Sequence, residues 1–258
     1  PGIRVRVKPR DDLQFQAAVF SGDPSGGNGS NQPVPLPTGT VFSFSGGAFF
    51  IAEASYLPNQ GKDARGLPGA YRVGAWYHTS ARFADQRFDD TGLSLANPQS
   101  TGVPMEHAGD GGVYGVIDQM LYRVPGTADQ GLSGFVRAGG VPQDRNLINF
   151  YADGGLLYKG LVPHRPDDKI GIATAFSRVG DNARGLDADI GLFSGNTFFP
   201  VQSSEAVIEL MYQAQLKPWW MLQPDLQYVI NPGGGVLNSD GSLRRNALVI
   251  GVRSFISF

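Results

Sequence analysis

The sequence predicts an all-β chain forming a transmembrane antiparallel β-barrel, and three observations lead there. About eleven segments alternate apolar and polar residues with a period of two, and almost nothing repeats at helical period. The connections between these segments tend to alternate long and short. No apolar run approaches the roughly 18 residues of a transmembrane helix, and the mean hydropathy is -0.16. That is the average expected where lipid-facing and water-facing residues alternate along each strand.

The first segment, residues 2–8, sets Ile3, Val5 and Val7 against Arg4, Arg6 and Lys8. The others fall at 13–20, 47–56, 70–83, 112–124, 132–141, 149–159, 169–179, 204–217, 220–230 and 246–258. In 204–217, Glu205, Glu209, Gln213, Gln215 and Lys217 share one face, opposite Ala206, Ile208, Leu210, Tyr212, Ala214 and Leu216. In 220–230, Trp220, Leu222, Leu226, Tyr228 and Ile230 oppose Gln223, Asp225 and Gln227. Aromatic residues near the ends of the apolar face suit the interfacial girdles of a barrel. The segment 112–124 is ambiguous, because Val113, Ile117 and Leu121 alternate against Tyr114, Val116 and Met120. The face that spares Asp118 from lipid is taken as the wet one.

Residues 8–12, 125–131, 161–168 and 217–219 read as tight turns built with Pro, Asp and Gly. Residues 21–46, 84–111, 180–203 and 231–245 read as long polar or Gly-rich loops. Two links blur the pattern: 57–69 is long for a turn and 142–148 short for a loop. Short turns on one side and long loops on the other are the asymmetry of outer-membrane barrels. A soluble β-sandwich would show the same alternation within its strands.

Composition removes other classes. The 258 residues include 36 Gly and 18 Pro with only 17% charged side chains, and the net charge of -2 offers no basic excess for nucleic-acid phosphates. Zero cysteines excludes disulfide frameworks, thiolate metal sites and a cysteine nucleophile. No cofactor or metal is implied. The last strand, NALVIGVRSFISF, closes on the aromatic Phe258. A terminal Phe on an amphipathic strand is similar to the signal by which bacterial outer-membrane proteins engage the barrel assembly machinery.

The stretches GVYGVIDQMLYR from Gly112, GLSGFVRAGGVPQDRNLINFYADGGLLYKG from Gly131 and EAVIELMYQAQLKPWWMLQPDLQYVINPGG from Glu205, with the terminal strand, resemble the carbohydrate-selective porin (OprB) family. Together they cover most of the last 150 residues, and the first 110 match only in general character. The resemblance implies a 16-stranded barrel in the bacterial outer membrane, monomeric or trimeric, in contact with lipid and lipopolysaccharide. It also implies passive diffusion of glucose and related sugars, with no enzymatic step. Residues 1–258 would then be a single domain holding about the last eleven strands. The sequence starts inside a strand-like run with no initiator Met or signal peptide, so about five N-terminal strands are expected to precede it.

On this reading Arg4, Arg6, Gln14, Gln16, Glu53, Arg72, Arg82, Asp118, Arg137, Asp153, Lys159, Glu209, Asp225 and Arg253 face the lumen, with Trp76, Phe135 and Tyr151 nearby. Sugars carry hydroxyls on their edges and apolar C–H faces, so a binding constriction pairs charged or amide groups with rings. The same residues would equally make a wet wall of ion pairs that stabilises the barrel. Their mixed signs favour a neutral solute over an ion.

Other motifs carry less. GDPSGG from Gly22 has Pro24 inserted relative to the GDSGG around serine-protease nucleophiles, and no GxSxG elbow occurs. His78, His107 and His164 have no carboxylate at a diagnostic spacing. Asp85, Asp89 and Asp90, or Asp181, Asp187 and Asp189, fit no EF-hand pattern and read as solvated loop carboxylates. Asn28 heads an NGS triplet. The remaining rivals are a barrel enzyme, which needs Ser, His and an acid clustered at the rim, and a secreted carbohydrate-binding sandwich.

Overall fold

A computed structural model describes residues 1–23, 43–44, 46–61, 64, 66–80, 82–196 and 199–257. Phe258, Asn28 and most of the GDPSGG loop lie outside the described residues.

The strands are β1 (Gly2–Arg10), β2 (Leu13–Ser21), β3 (Ala48–Tyr56), β4 (Gly69–His78), β5 (Phe83–Asp89), β6 (Pro104–His107) and β7 (Asp110–Arg123). They continue as β8 (Gly131–Gly140), β9 (Ile148–Lys159), β10 (Lys169–Val179), β11 (Ser204–Lys217), β12 (Trp220–Ile230) and β13 (Ala247–Ile256). One helix, α1 (Asp181–Ser194), follows β10. All eleven segments read from the sequence are strands of one sheet, ordered β1-β2-β3-β4-β7-β8-β9-β10-β11-β12-β13. Each pairs antiparallel with its neighbour, and β1 and β13 form the two open edges.

The expected strand at 70–83 ends at His78, and Arg82 lies in the connection to β5 rather than on the wall. Residues expected as plain loop at 84–111 and 180–203 contain the β5–β6 hairpin and α1. The hairpin escapes a period-two search because its inward side chains are acids: Asp85 and Asp89 are buried, with Asp89 fully so. Asp89 accepts from the Thr91, Leu93 and Thr101 backbone N–H groups and from the Thr91 and Ser100 hydroxyls. The loop that follows β5 is therefore wound around one carboxylate.

The two faces of the sheet differ as the alternation requires. Ile3, Val5, Phe15, Val73, Val113, Val136, Ile172, Ile208, Leu226, Ile250 and Val252 occupy one face, and all are exposed. Among the described residues the buried apolar set is Ala70, Met120, Val179, Ala183 and Ala214. Among the described residues no layer covers the apolar face, where a sandwich would pack a second sheet; leaving each large side chain in water would forgo about 1.5–3 kcal/mol.

Aromatic residues band this face at both ends. Tyr56, Tyr71, Tyr158, Tyr212 and Trp220 lie toward the short turns, and Phe50, Tyr77, Phe150, Phe176 and Tyr228 toward the long loops. Tyr56 stacks on Tyr71 with centroids 6.2 Å apart, and Phe150 meets Phe176 at 6.4 Å. Phe150 and Tyr158 stand about 27 Å apart along an extended strand, which the ~40° tilt of barrel strands turns into about 21 Å of height, within the ~25 Å apolar band.

On the polar face, bulky rings oppose glycines. Trp76 is paired with Gly112, Tyr114 with Gly74, and Phe135 with Gly155. A Cβ at Gly112 would meet Trp76 Nε1 at 2.7 Å, and one at Gly155 would meet Phe135 Cε1 at 2.9 Å. The rings thus lie flat on the neighbouring strand, in space that only glycine leaves open.

The long-loop end is tied together across strands. Within the Asp144–Arg145–Asn146 run, the Asp144 carbonyl accepts from the Gln86 N–H at 2.7 Å. Arg145 donates to the Gly109 carbonyl at 2.5 Å, and Asn146 donates to Asp110 at 3.0 Å. Arg87 forks onto Asp189 of α1 at 2.9 and 3.1 Å. At the other end Asp168, nearly inaccessible, accepts from Arg165 Nε at 2.7 Å, from the Gln215 N–H at 2.9 Å and from the Tyr212 hydroxyl.

Two outcomes follow from this packing. Gly112→Val displaces Trp76 and is expected to cost about 1–3 kcal/mol, read as a lower temperature for loss of the folded form in heat-shift electrophoresis. Burial opposes ionisation of Asp89, but its donors outweigh this and hold its pKa well below the ordinary carboxylate range. The loop's order is therefore complete above about pH 4, the unfolded carboxylate value, and is lost as pH falls through the lower folded value. Pepsin should spare residues 89–103 at pH 4 and cut them progressively faster as the pH is lowered toward and below 2, and Asp89→Asn should admit thermolysin at neutral pH.

Candidate functional site: the polar face of the sheet

Cross-strand register places nearly all the predicted lumen residues on one face. Along one line of register Arg6, Gln16, Glu53, Gly74, Tyr114, Gly139, Tyr151, Ser177 and Glu205 follow one another across nine strands. The next row carries Gln14, Ser55, Arg72, Val116, Arg137 and Asp153. Asp118 and Phe135 are paired in the row beyond, which resolves the ambiguous segment in favour of the face first chosen.

The charges on this wall are mostly spent on one another. Arg72 Nη1 donates to Asp118 Oδ2 at 2.7 Å. The Arg137 guanidinium forks onto Asp153, with Nε at 2.9 and 3.1 Å from the two oxygens, and lies 5.5 Å over the Phe135 ring. The Asp153 side chain is only 8% exposed, whereas that of Arg137 is 54% exposed, so Arg137 is the member that meets the aqueous side. Farther along the sheet Gln227 Nε2 donates to Glu209 at 2.9 Å, and Arg253 stands 3.9 Å from Asp225.

Trp76, Arg137 and Tyr151, named from the sequence, come together with Tyr114 and Asn149 around one recess of about 400 Å3. Its floor passes over Gly139, whose register partners are Tyr114 and Tyr151. Arg72, Asp118 and Phe135 line a second depression nearer the short turns. Glu53 lies apart, on the other side of Tyr114, and accepts its hydroxyl at 2.9 Å. Lys159 sits at the turn end, where Asp129 at 2.6 Å and Asp167 at 3.4 Å hold it, away from the recess. Glu209, Asp225 and Arg253 form a separate group on β11, β12 and β13.

Tyr114 and Asn149 were missed. Tyr114 is four residues from Asp118 on the same strand and so shares its face by parity; placing Asp118 in water already placed the ring there.

Two of the three histidines, His78 and His107, are accounted for structurally. His78 Nε2 lies 3.0 Å from the Gly22 carbonyl oxygen, and its Nδ1 accepts from the Ser80 backbone N–H at 3.1 Å. His107 Nε2 lies 2.7 Å from Asp85 in the β5–β6 hairpin. The Arg145 hydrogen bond holds the Asp144 pKa low. For Asp85, burial pushes upward but is outweighed by the Phe88 N–H, His107 and the Arg87 N–H. Among the described residues no cluster of three or more His, Cys, Asp or Glu side chains is suited to a metal ion.

A sheet with one bare apolar face banded by aromatics, and one wet face of ion pairs and flat rings, defines the wall of a porin-type membrane β-barrel. The description "Carbohydrate-selective porin, OprB family" matches the chain over residues 1–258, and the chain belongs to that family. It is 31% identical to Porin B of Pseudomonas aeruginosa over 97% of this chain and 53% of that protein. It is also 31% identical to "Putative porin QuiX" of Acinetobacter baylyi, over 66% of this chain and 37% of that one. The structure titled "High pH structure of Pseudomonas putida OprB" superposes with a TM-score of 0.83 at 29% identity, over all of this chain and 58% of that one. The chain thus spans about half the length of Porin B and of the solved OprB chain.

Arg137→Ala leaves the inaccessible Asp153 carboxylate without its fork. The expected cost is about 1–2 kcal/mol, moderated because Arg137 is half exposed. Urea unfolding in lipid vesicles should show it, and Arg137→Lys should recover only part, since an ammonium cannot make the planar fork.

Proposed function

We propose that this chain forms most of the wall of an outer-membrane porin through which small neutral solutes, carbohydrates such as glucose, diffuse down their gradients. The observation that carries this is the recess of Trp76, Tyr114, Arg137 and Tyr151 on the wet face. It offers ring faces to sugar C–H groups and a half-exposed guanidinium to sugar hydroxyls. Paired signs at Arg72 with Asp118 and at Arg137 with Asp153 leave little net field, which suits an uncharged solute. Passage down a gradient needs no bond made or broken, and the relatives named above are porins rather than enzymes.

On this reading residues 1–258 are one unit of a 16-stranded barrel. The apolar face meets outer-membrane lipid and lipopolysaccharide, the long loops lie outside the cell, and Phe258 carries the contact with the assembly machinery. The assembled protein works as a monomer or homotrimer, which cross-linking in native membranes distinguishes.

The test is planar-bilayer conductance of the intact protein with glucose titrated against the open-channel current. Stepwise conductance with partial, saturable block by glucose is expected. Conductance without block identifies a general diffusion pore instead, and no conductance at all overturns the porin reading.

A further inference from the structure

The polar face holds another recess, between β1, β2 and β3, smaller and apart from the one just described. It encloses about 210 Å3 and is lined by Arg4, Gln16, Phe20, Ile51, Glu53 and Tyr114. Register puts all six on the wet face. We propose that this recess is a separate subsite for a single pyranose ring, with Glu53 as the acceptor that selects it; the proposal rests on the porin reading.

Glu53 is fixed before any solute arrives. Its Oε1 accepts from Gln16 Nε2 and from the Ser55 hydroxyl, each at 3.1 Å, and its Oε2 accepts from the Tyr114 hydroxyl at 2.9 Å. A carboxylate offers about four acceptor positions. The wall fills three and leaves one, on Oε2. A carboxylate held by three donors needs no reorganisation to take a fourth. Arg4 brings only donors, so a ligand that both donates and accepts, as adjacent sugar hydroxyls do, satisfies both ends. Phe20 and Ile51 supply apolar surface for the C–H face of the ring. A simple anion meets Glu53 and a simple cation meets Arg4, so each is opposed by one side of the recess. The volume is of the order of one pyranose ring.

The two recesses do not form one site. Tyr114 stands between them, its ring over Gly74 and its hydroxyl turned to Glu53. Glu53 on β3 and Arg137 on β8 are separated by β4 and β7, about 14 Å along the sheet.

The experiment is glucose block of the intact protein in planar bilayers, comparing wild type with Glu53→Gln, Arg4→Gln and Glu106→Gln, each scaled to its own open current. Glu106, on β6, lies outside both recesses. Glu53→Gln and Arg4→Gln should each raise the half-blocking glucose concentration about tenfold, from loss of a hydrogen bond to a charged group. Glu106→Gln should leave it unchanged. If Glu53→Gln does not assemble, Arg4→Gln decides, because Arg4 is exposed and no hydrogen bond or ion pair to another described residue holds it. Wild-type block that survives both substitutions at full strength overturns the subsite and leaves the porin reading standing. Absence of conductance in the wild type overturns the porin reading first.

Discussion

Everything in this fold follows from one constraint: a sheet that leaves a whole face of Val, Ile, Leu and Phe uncovered must be solvated by hydrocarbon. In such a medium each backbone N–H and C=O of the spanning strands must find a partner within the sheet, since water cannot supply one. A meander of nearest-neighbour antiparallel strands meets that demand with the shortest connections. Once one face is given to lipid, the pleat sends every alternate side chain to the other. The wet face is thus a by-product of the dry one, and its register is as strictly set. The tyrosines and tryptophans at the ends of the strands complete the arrangement, with an apolar body inside and a polar tip at the boundary.

The wet face solves a different problem. On the proposed reading, charges lining a pore must not collapse onto solute or attract one ion strongly, and here they are paired across strands, Arg72 with Asp118 and Arg137 with Asp153. Rings on that face would narrow such a pore if they stood upright, and here they lie down over glycines. Opposing each of Trp76, Tyr114 and Phe135 with a glycine accounts for part of the 36 glycines that composition alone could only ascribe to turns.

The strands were legible because a period of two in side-chain polarity has one structural meaning when sustained over ten residues. The cap over the long-loop end was not. Helix α1 does carry Ala183, Leu186, Ile190 and Phe193 at helical spacing, but Gly185, Gly191 and three aspartates dilute the stripe. The β5–β6 hairpin turns acids inward, so its pattern is the inverse of the one sought. For the site, parity sufficed to list the wet-face residues, and Trp76, Arg137 and Tyr151 were found together. Which of those residues meet depends on strand-to-strand register, and that is absent from any single strand. Hence Lys159 was grouped with residues it does not touch, and Tyr114 was passed over despite sharing the face of Asp118.

The join between Arg87 and Asp189 has a geometric meaning for the mouth. The β4–β7 loop that carries β5 and the β10–β11 loop that carries α1 spring from hairpins separated by β8 and β9. The strands between them set the length of an arc, and the two loops, locked at the ion pair, form its chord. An arc of fixed length under a fixed chord has one radius. The loops therefore add a constraint from above on the bend of the wall at that end, beyond what the compliance of the sheet sets.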